Sequence, residues 1–159
     1  MMRAAVFLIM TCLAGNAVAQ TNVALGGMSV DPSAAVEVTA DSLSVDQASG
    51  TAVFEGNVLI GQGDLRLAAQ RVEVVYAEAA GEIDRLLATG QVVMSTATEA
   101  AEADSAVYDI AAGTLTLMGN VLLTQGPSAI SAEEMEINIT DGTAQMRGRV
   151  RTVLQQGGN

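Results

Sequence analysis

Lysine and histidine are absent from this chain, tryptophan too, and the one cysteine, Cys12, falls in the first nineteen residues. Without histidine the commonest general base and metal ligand near neutral pH is missing, and no nucleophile motif or calcium-loop pattern replaces it. Neither an enzyme nor a bound metal or cofactor is expected. Two tyrosines and two phenylalanines are the only aromatics, too few to build a stacking platform for sugars. The cations are seven arginines against 18 acidic residues, a net charge of −11. A surface of that sign repels nucleic acid and anionic membrane faces, so no nucleic-acid partner is expected.

Long apolar runs are also missing. The stretch from Ala4 to Met10 follows Arg3 and is too short to cross a bilayer. It leads to Ala17-Val18-Ala19 before Gln20, the small-x-small triplet of a signal peptidase site, so residues 1–19 read as a cleaved secretory signal. Thr11 before Cys12 is a poor fit to a lipoprotein cleavage site. Removing nineteen of 159 residues leaves 140, enough for one domain with its own core, and losing Arg3 takes the charge to −12. The mature chain then has no cysteine in an oxidising compartment, so packing alone must hold it.

What is abundant is alternation. Threonine- and valine-rich runs over 51–62, 65–76, 82–96, 114–125, 130–139 and 143–154 alternate apolar with polar residues between glycine-containing breaks, the pattern of an all-β chain. Residues 20–35, with Gly26-Gly27 and Pro32, read as a flexible leader, and 155–159 as a disordered tail. A shift of 63 residues lays Ala40-Asp41-Ser42 on Ala103-Asp104-Ser105, Asp46 on Asp109, and Gly56-Asn57-Val58-Leu59 on Gly119-Asn120-Val121-Leu122. Gly-x-Val also recurs at Gly56, Gly90, Gly119 and Gly148, a beat of about thirty residues typical of stacked β repeats.

Residues two apart in a strand share a face. Counting from these glycines, Ala52, Phe54, Val58 and Ile60 fall together, as do Leu86, Ala88, Val92 and Met94, then Leu115, Leu117, Val121 and Leu123, then Ala144, Met146, Val150 and Thr152. The other face is mostly polar but takes in Val53, Leu59, Val93 and Leu122. This suits an antiparallel sheet curled over an apolar interior, with the glycines at bends or bulges; plain turn punctuation is the simpler reading of them. Asp46 and Asp109, each four residues before a glycine, read as turn caps rather than a catalytic pair.

Several motifs in order resemble the LptA/OstA family of lipopolysaccharide transport proteins. They are Ala40-Asp41, G-T-A-V-F-E-G-N-V at 50–58, Gln62-Gly63, V-E-V-V-Y at 72–76, I-D-R-L-L-A-T-G-Q-V at 83–92, A-V-Y-D at 106–109, the run 113–126 and G-R-V at 148–150. The resemblance covers residues 36–154. It implies a twisted, V-shaped β-jellyroll of repeated antiparallel strands, located in the periplasm, that holds lipopolysaccharide by its acyl chains and passes it from inner to outer membrane. It also implies edge-strand pairing with an inner-membrane LptC-like protein, an outer-membrane LptD-like protein, or head to tail with copies of itself. The family often carries a basic tail, whereas no positive charge follows Arg151 here, so a tail that grips phosphates is not expected.

On this reading the groove is lined by Phe54, Val58, Ile60, Val92, Met94, Leu117, Val121, Leu123, Met146 and Val150, with methionine providing a soft lining. The same set is also what an ordinary core between packed sheets would use. Arg66, Arg71 and Arg85 are candidate rim contacts for phosphate or sugar acid. The expected free edges are residues 36–44 and 147–154. The competing function is a secreted structural protein that stacks the same repeats into polymers and binds no lipid.

Overall fold

A computed structural model describes residues 21–24, 33–78 and 81–154; the expected signal over 1–19 and tail over 155–159 lie outside them. Eleven strands follow one another: β1 (Thr21–Ala24), β2 (Glu37–Thr39), β3 (Ser42–Asp46), β4 (Thr51–Gln62), β5 (Leu65–Tyr76), β6 (Ile83–Ser95), β7 (Glu99–Asp109), β8 (Thr114–Gln125), β9 (Ser128–Asn138), β10 (Thr143–Arg147) and β11 (Arg151–Val153). No helix occurs among the described residues. They form one antiparallel sheet in the order β1-β10-β9-β8-β7-β6-β5-β4-β2, with β3 also on β4 and β11 also on β9. From β3 to β10 the chain is therefore a meander, as short glycine turns between alternating runs dictate, with β2 and β11 continuing its two outer strands past the irregular line.

Every interior strand carries an irregularity near its middle. The register shifts between Glu55 and Val58, Ala68 and Arg71, Thr89 and Val92, Glu102 and Ser105, and Met118 and Val121. These shifts line up across the sheet, and at its two ends the same line falls between β2 and β3 and between β10 and β11. At Gly56-Asn57 both residues have positive φ, +80° and +46°, and Gly90-Gln91, Gly119-Asn120 and Gly148-Arg149 repeat the pair. A Cβ at Gly56 would lie 2.9 Å from the Cβ of Asp41, in the break between β2 and β3. The repeated glycine thus bends the strand and admits a neighbour, and it is not a turn marker. Asn57 Nδ2 donates to Asp41 Oδ2 at 2.8 Å, Asn120 Nδ2 donates to Asp104 Oδ2 at 2.8 Å, and Arg149 Nε donates to Glu133 Oε1 at 2.7 Å.

The ridge folds the sheet on itself. Ala100 shares a row with Gly61 through Arg66 and Ser95, and Tyr108 lies eight residues further along β7, roughly 26 Å on a flat strand. Yet Tyr108 Oη donates to Gln62 Oε1 at 2.9 Å. The half-strands on either side of the ridge are therefore two limbs of a V, facing each other across the apolar residues that both bury: a β-jellyroll-type sheet, as expected.

Three expectations need correcting. The alanine-rich β7, absent from the six expected runs, is a full strand: alanine has weak strand propensity, but Ala101, Ala103 and Ala106 supply its buried face. The leader over 20–35 contains β1, which pairs with β10 from Thr21↔Met146 to Ala24↔Thr143; residues 25–32 lie outside the described set. The run 143–154 is two strands, because Gly148-Arg149 at the ridge divides it.

Candidate functional site

The space between the limbs is where a ligand of this fold would have to sit. The alternation places Val58, Ile60, Val92, Met94, Leu117, Val121, Leu123 and Met146 in that interior, none more than 6 % exposed. Phe54 and Val150 are half-buried against the same cluster. The ten candidate groove residues thus come together on one surface. Sequence reasoning, anchored on glycine, missed the inner faces of the glycine-free ridge strands β5 and β9, where Leu67, Val72, Val74, Met135 and Ile137 are equally buried. Their alternation was the available signal.

The limbs are in contact. The void lined by Ile60, Leu65, Leu67, Leu86, Ala88 and Leu115, with Gln62 and Tyr108, measures about 20 Å³, room for about one water. In this state the interior is a packed core, with room for a larger ligand only if the limbs part. At the edge β3 the same inner surface emerges into solvent. Leu43 and Val45, opposite Phe54 and Ala52 in register, are 54 % and 63 % exposed.

The mouth of the V, opposite the ridge, is polar. Gln62 accepts from Tyr108 and donates through Nε2 to the Ala34 carbonyl at 3.1 Å. Tyr108 is buried, which raises its pKa above the ordinary phenol value, with the hydrogen bond to Gln62 pulling the other way. Glu99 is also buried and accepts from Gln125 Nε2. None of these three stood among the candidate site residues, although Gln62 and Gln125 are a matched pair in the 63-residue repeat.

The two ends of the sheet differ. At the start, β2 and β3 lie end to end along β4 with no further strand beyond them among the described residues, matching the expected edge over 36–44. At the other end β11 is outermost on β9, but β10 is covered by β1. The expected edge over 147–154 is thus the outer side of β11, whereas β10 just before it is paired by the chain's own β1 over residues 143–146.

With this geometry in view, a family model described as LptA/(LptD N-terminal domain) LPS transport protein matches residues 37–143. The chain belongs to that family. A curated relative, an uncharacterised protein of Rhizobium meliloti (strain 1021), is 26 % identical over 154 residues, covering 89 % of this chain and 83 % of its own length. Among solved structures, LptH, described as the LptA homologous periplasmic component of the conserved lipopolysaccharide transport device from Pseudomonas aeruginosa, superposes with a TM-score of 0.70. It is 17 % identical and is matched over 79 % of this chain and 99 % of its own. That likeness bears on the fold.

In this member of the LptA/LptD N-terminal family the three candidate rim arginines all face outward. Arg66 Nη1 donates to the carbonyls of Gly63 (2.5 Å) and Leu65 (2.8 Å), pinning its own turn. Arg71 pairs with Glu55 at 2.6 Å and Glu73 at 3.5 Å, and Arg85 with Asp84 at 2.9 Å. They occupy different rows of the sheet, so the structure does not bring them together. Asp46 and Asp109 cap turns: Asp46 Oδ1 accepts from the Ala48 amide at 2.8 Å and Asp109 Oδ1 from the Ala112 amide at 2.8 Å. Asn138, four residues before Gly142, caps a third turn in the same way, accepting from the Thr140 amide at 3.0 Å.

Proposed function

We propose that this chain is a periplasmic component of lipopolysaccharide export that takes the lipid by its acyl chains between the two limbs and passes it from the inner toward the outer membrane. The observation that carries the reading is the continuous apolar interior enclosed by a sheet hinged along one line and reaching solvent at the β3 edge, in a chain of the LPS transport family. Burying acyl chains there is worth about 0.8 kcal/mol per methylene, and methionine and alanine give a lining that repacks easily. An acidic, lysine-free surface adds little attraction for phosphate, so the tails supply the affinity. Neighbours dock by strand pairing at β2/β3 and at the β10/β11 end, as an inner-membrane LptC-like protein, an outer-membrane LptD-like protein or further copies of the chain. No step of this function calls for catalysis.

The test is photo-crosslinking from a probe placed singly at Phe54, Val58, Val121 or Leu123 in cells making lipopolysaccharide. A lipid adduct at these inner positions, and none from Thr116 on the outer face, is expected; no adduct at any inner position would sink the carrier reading. One observation favours the competing structural role: a secreted β-repeat that only polymerises should have a filled interior, and the limbs here are closed. That role predicts long uniform polymers of the purified chain with no lipid bound.

A further inference from the structure

The mouth of the interior holds a carboxyl group that packing does not need. Glu99 begins β7, shares its inner face with Ala101 and Ala103, and is 4 % exposed. One carboxylate oxygen accepts from Gln125, while the other, Oε2, is buried with no hydrogen-bond partner. Such an oxygen is costly, and an unsatisfied buried group in a native fold calls for an explanation. The internal repeat shows that the fold does not require an acid here. Shifted back by 63 residues, Glu99 falls on Val36, an apolar residue packed against the same core.

We propose that Glu99, oriented by Gln125, is a hydrogen-bond acceptor for the polar head of an amphiphile whose chains lie between the limbs. A carboxylate accepts from hydroxyl and N–H donors and repels phosphate and carboxylate. The head group it recognises is therefore a donor next to the chains, a sugar hydroxyl or an amide, and not the anionic part of the ligand. Parting of the limbs exposes Oε2 to that donor, and the oxygen unsatisfied in the closed state gains its partner in the loaded one. This inference rests on the acyl-binding reading above.

Calorimetric titration of the purified protein with two amphiphiles of the same dodecyl chain separates the possibilities. Dodecyl maltoside offers hydroxyl donors, whereas dodecyldimethylamine N-oxide at pH 8 only accepts. Glu99→Leu is expected to weaken maltoside binding about tenfold, equivalent to ~1.4 kcal/mol, leave N-oxide binding unchanged and raise the melting temperature. Glu99→Gln, which keeps the shape, should give a smaller loss in the same direction and serves if the leucine variant fails to fold. Equal loss for both amphiphiles, or no loss for either in a folded variant, overturns the proposal while leaving acyl binding intact. If the unaltered protein binds neither amphiphile, the acyl-binding reading falls and the inference with it.

Discussion

At the scale of single residues, the bend is concentrated in four glycine-led pairs. Gly119 has a φ of +80° and faces the Cβ of Asp104 at a distance that would be 3.0 Å from any Cβ of its own. Gly119→Ala therefore combines left-handed backbone strain with a clash, and a loss of about 1–3 kcal/mol is expected in chemical denaturation followed by far-UV circular dichroism. Tyr108→Phe removes the buried hydrogen bond to the Gln62 oxygen, and about 1–2 kcal/mol should be lost by the same measurement. Tyr108 also sets an alkaline limit. Its folded pKa is raised above the ordinary 10.0, so its contribution is fully present below pH 10 and disappears as pH rises through the folded value. The unaltered protein should lose stability above pH 10 more steeply than the phenylalanine variant, as melting temperatures across that range will show.

At the scale of elements, the open edges are the parts most exposed to a single change. Proline at Ser44 in β3 or at Thr152 in β11 removes a backbone donor from an outermost strand. Each should abolish strand-mediated assembly at its own end while leaving the monomer folded, measured by analytical ultracentrifugation; assembly that persists in both variants would show that the edges are not the interface. Proline at Val23 should do the opposite, freeing β10 and increasing association. Much of this arrangement is legible in the chain. Strand alternation about the repeated glycines assigns inner residues such as Val58, Leu117 and Met146, because period two is rigidly tied to the pleat. Four things are not legible. The alanines of β7 hide a strand because burial, not propensity, decides there. β1 is invisible because its partner lies over a hundred residues away. Alternation turns Arg66, Arg71 and Arg85 outward, but the carboxylate or carbonyl each one meets depends on its neighbours in space. That the groove is shut is likewise a property of two limbs together, which no single strand encodes.

At the scale of the whole molecule, the proposed carrier role requires the limbs to part about the ridge. Ridge pairs such as Asn57 with Asp41 and Asn120 with Asp104 are tied by side-chain hydrogen bonds, whereas the mouth is bolted through Gln62 and Tyr108. Hydrogen exchange read by mass spectrometry should therefore show amides near Gln62, Leu65 and Tyr108 losing protection when lipopolysaccharide is added, with those at Asp41 and Asp104 unchanged. Uniform protection across both regions would mean that the sheet does not hinge. The meander has a further consequence, for how the molecule is made. From β2 onward every strand pairs with one close to it in the chain, so each pairing can close over a short stretch as soon as its two halves are available. The exception is β1, whose partner β10 lies at the far end, with Thr21 opposite Met146. A chain emerging amino end first can zip up its limbs in order of synthesis, but it must keep its first strand waiting until the last turn is in place.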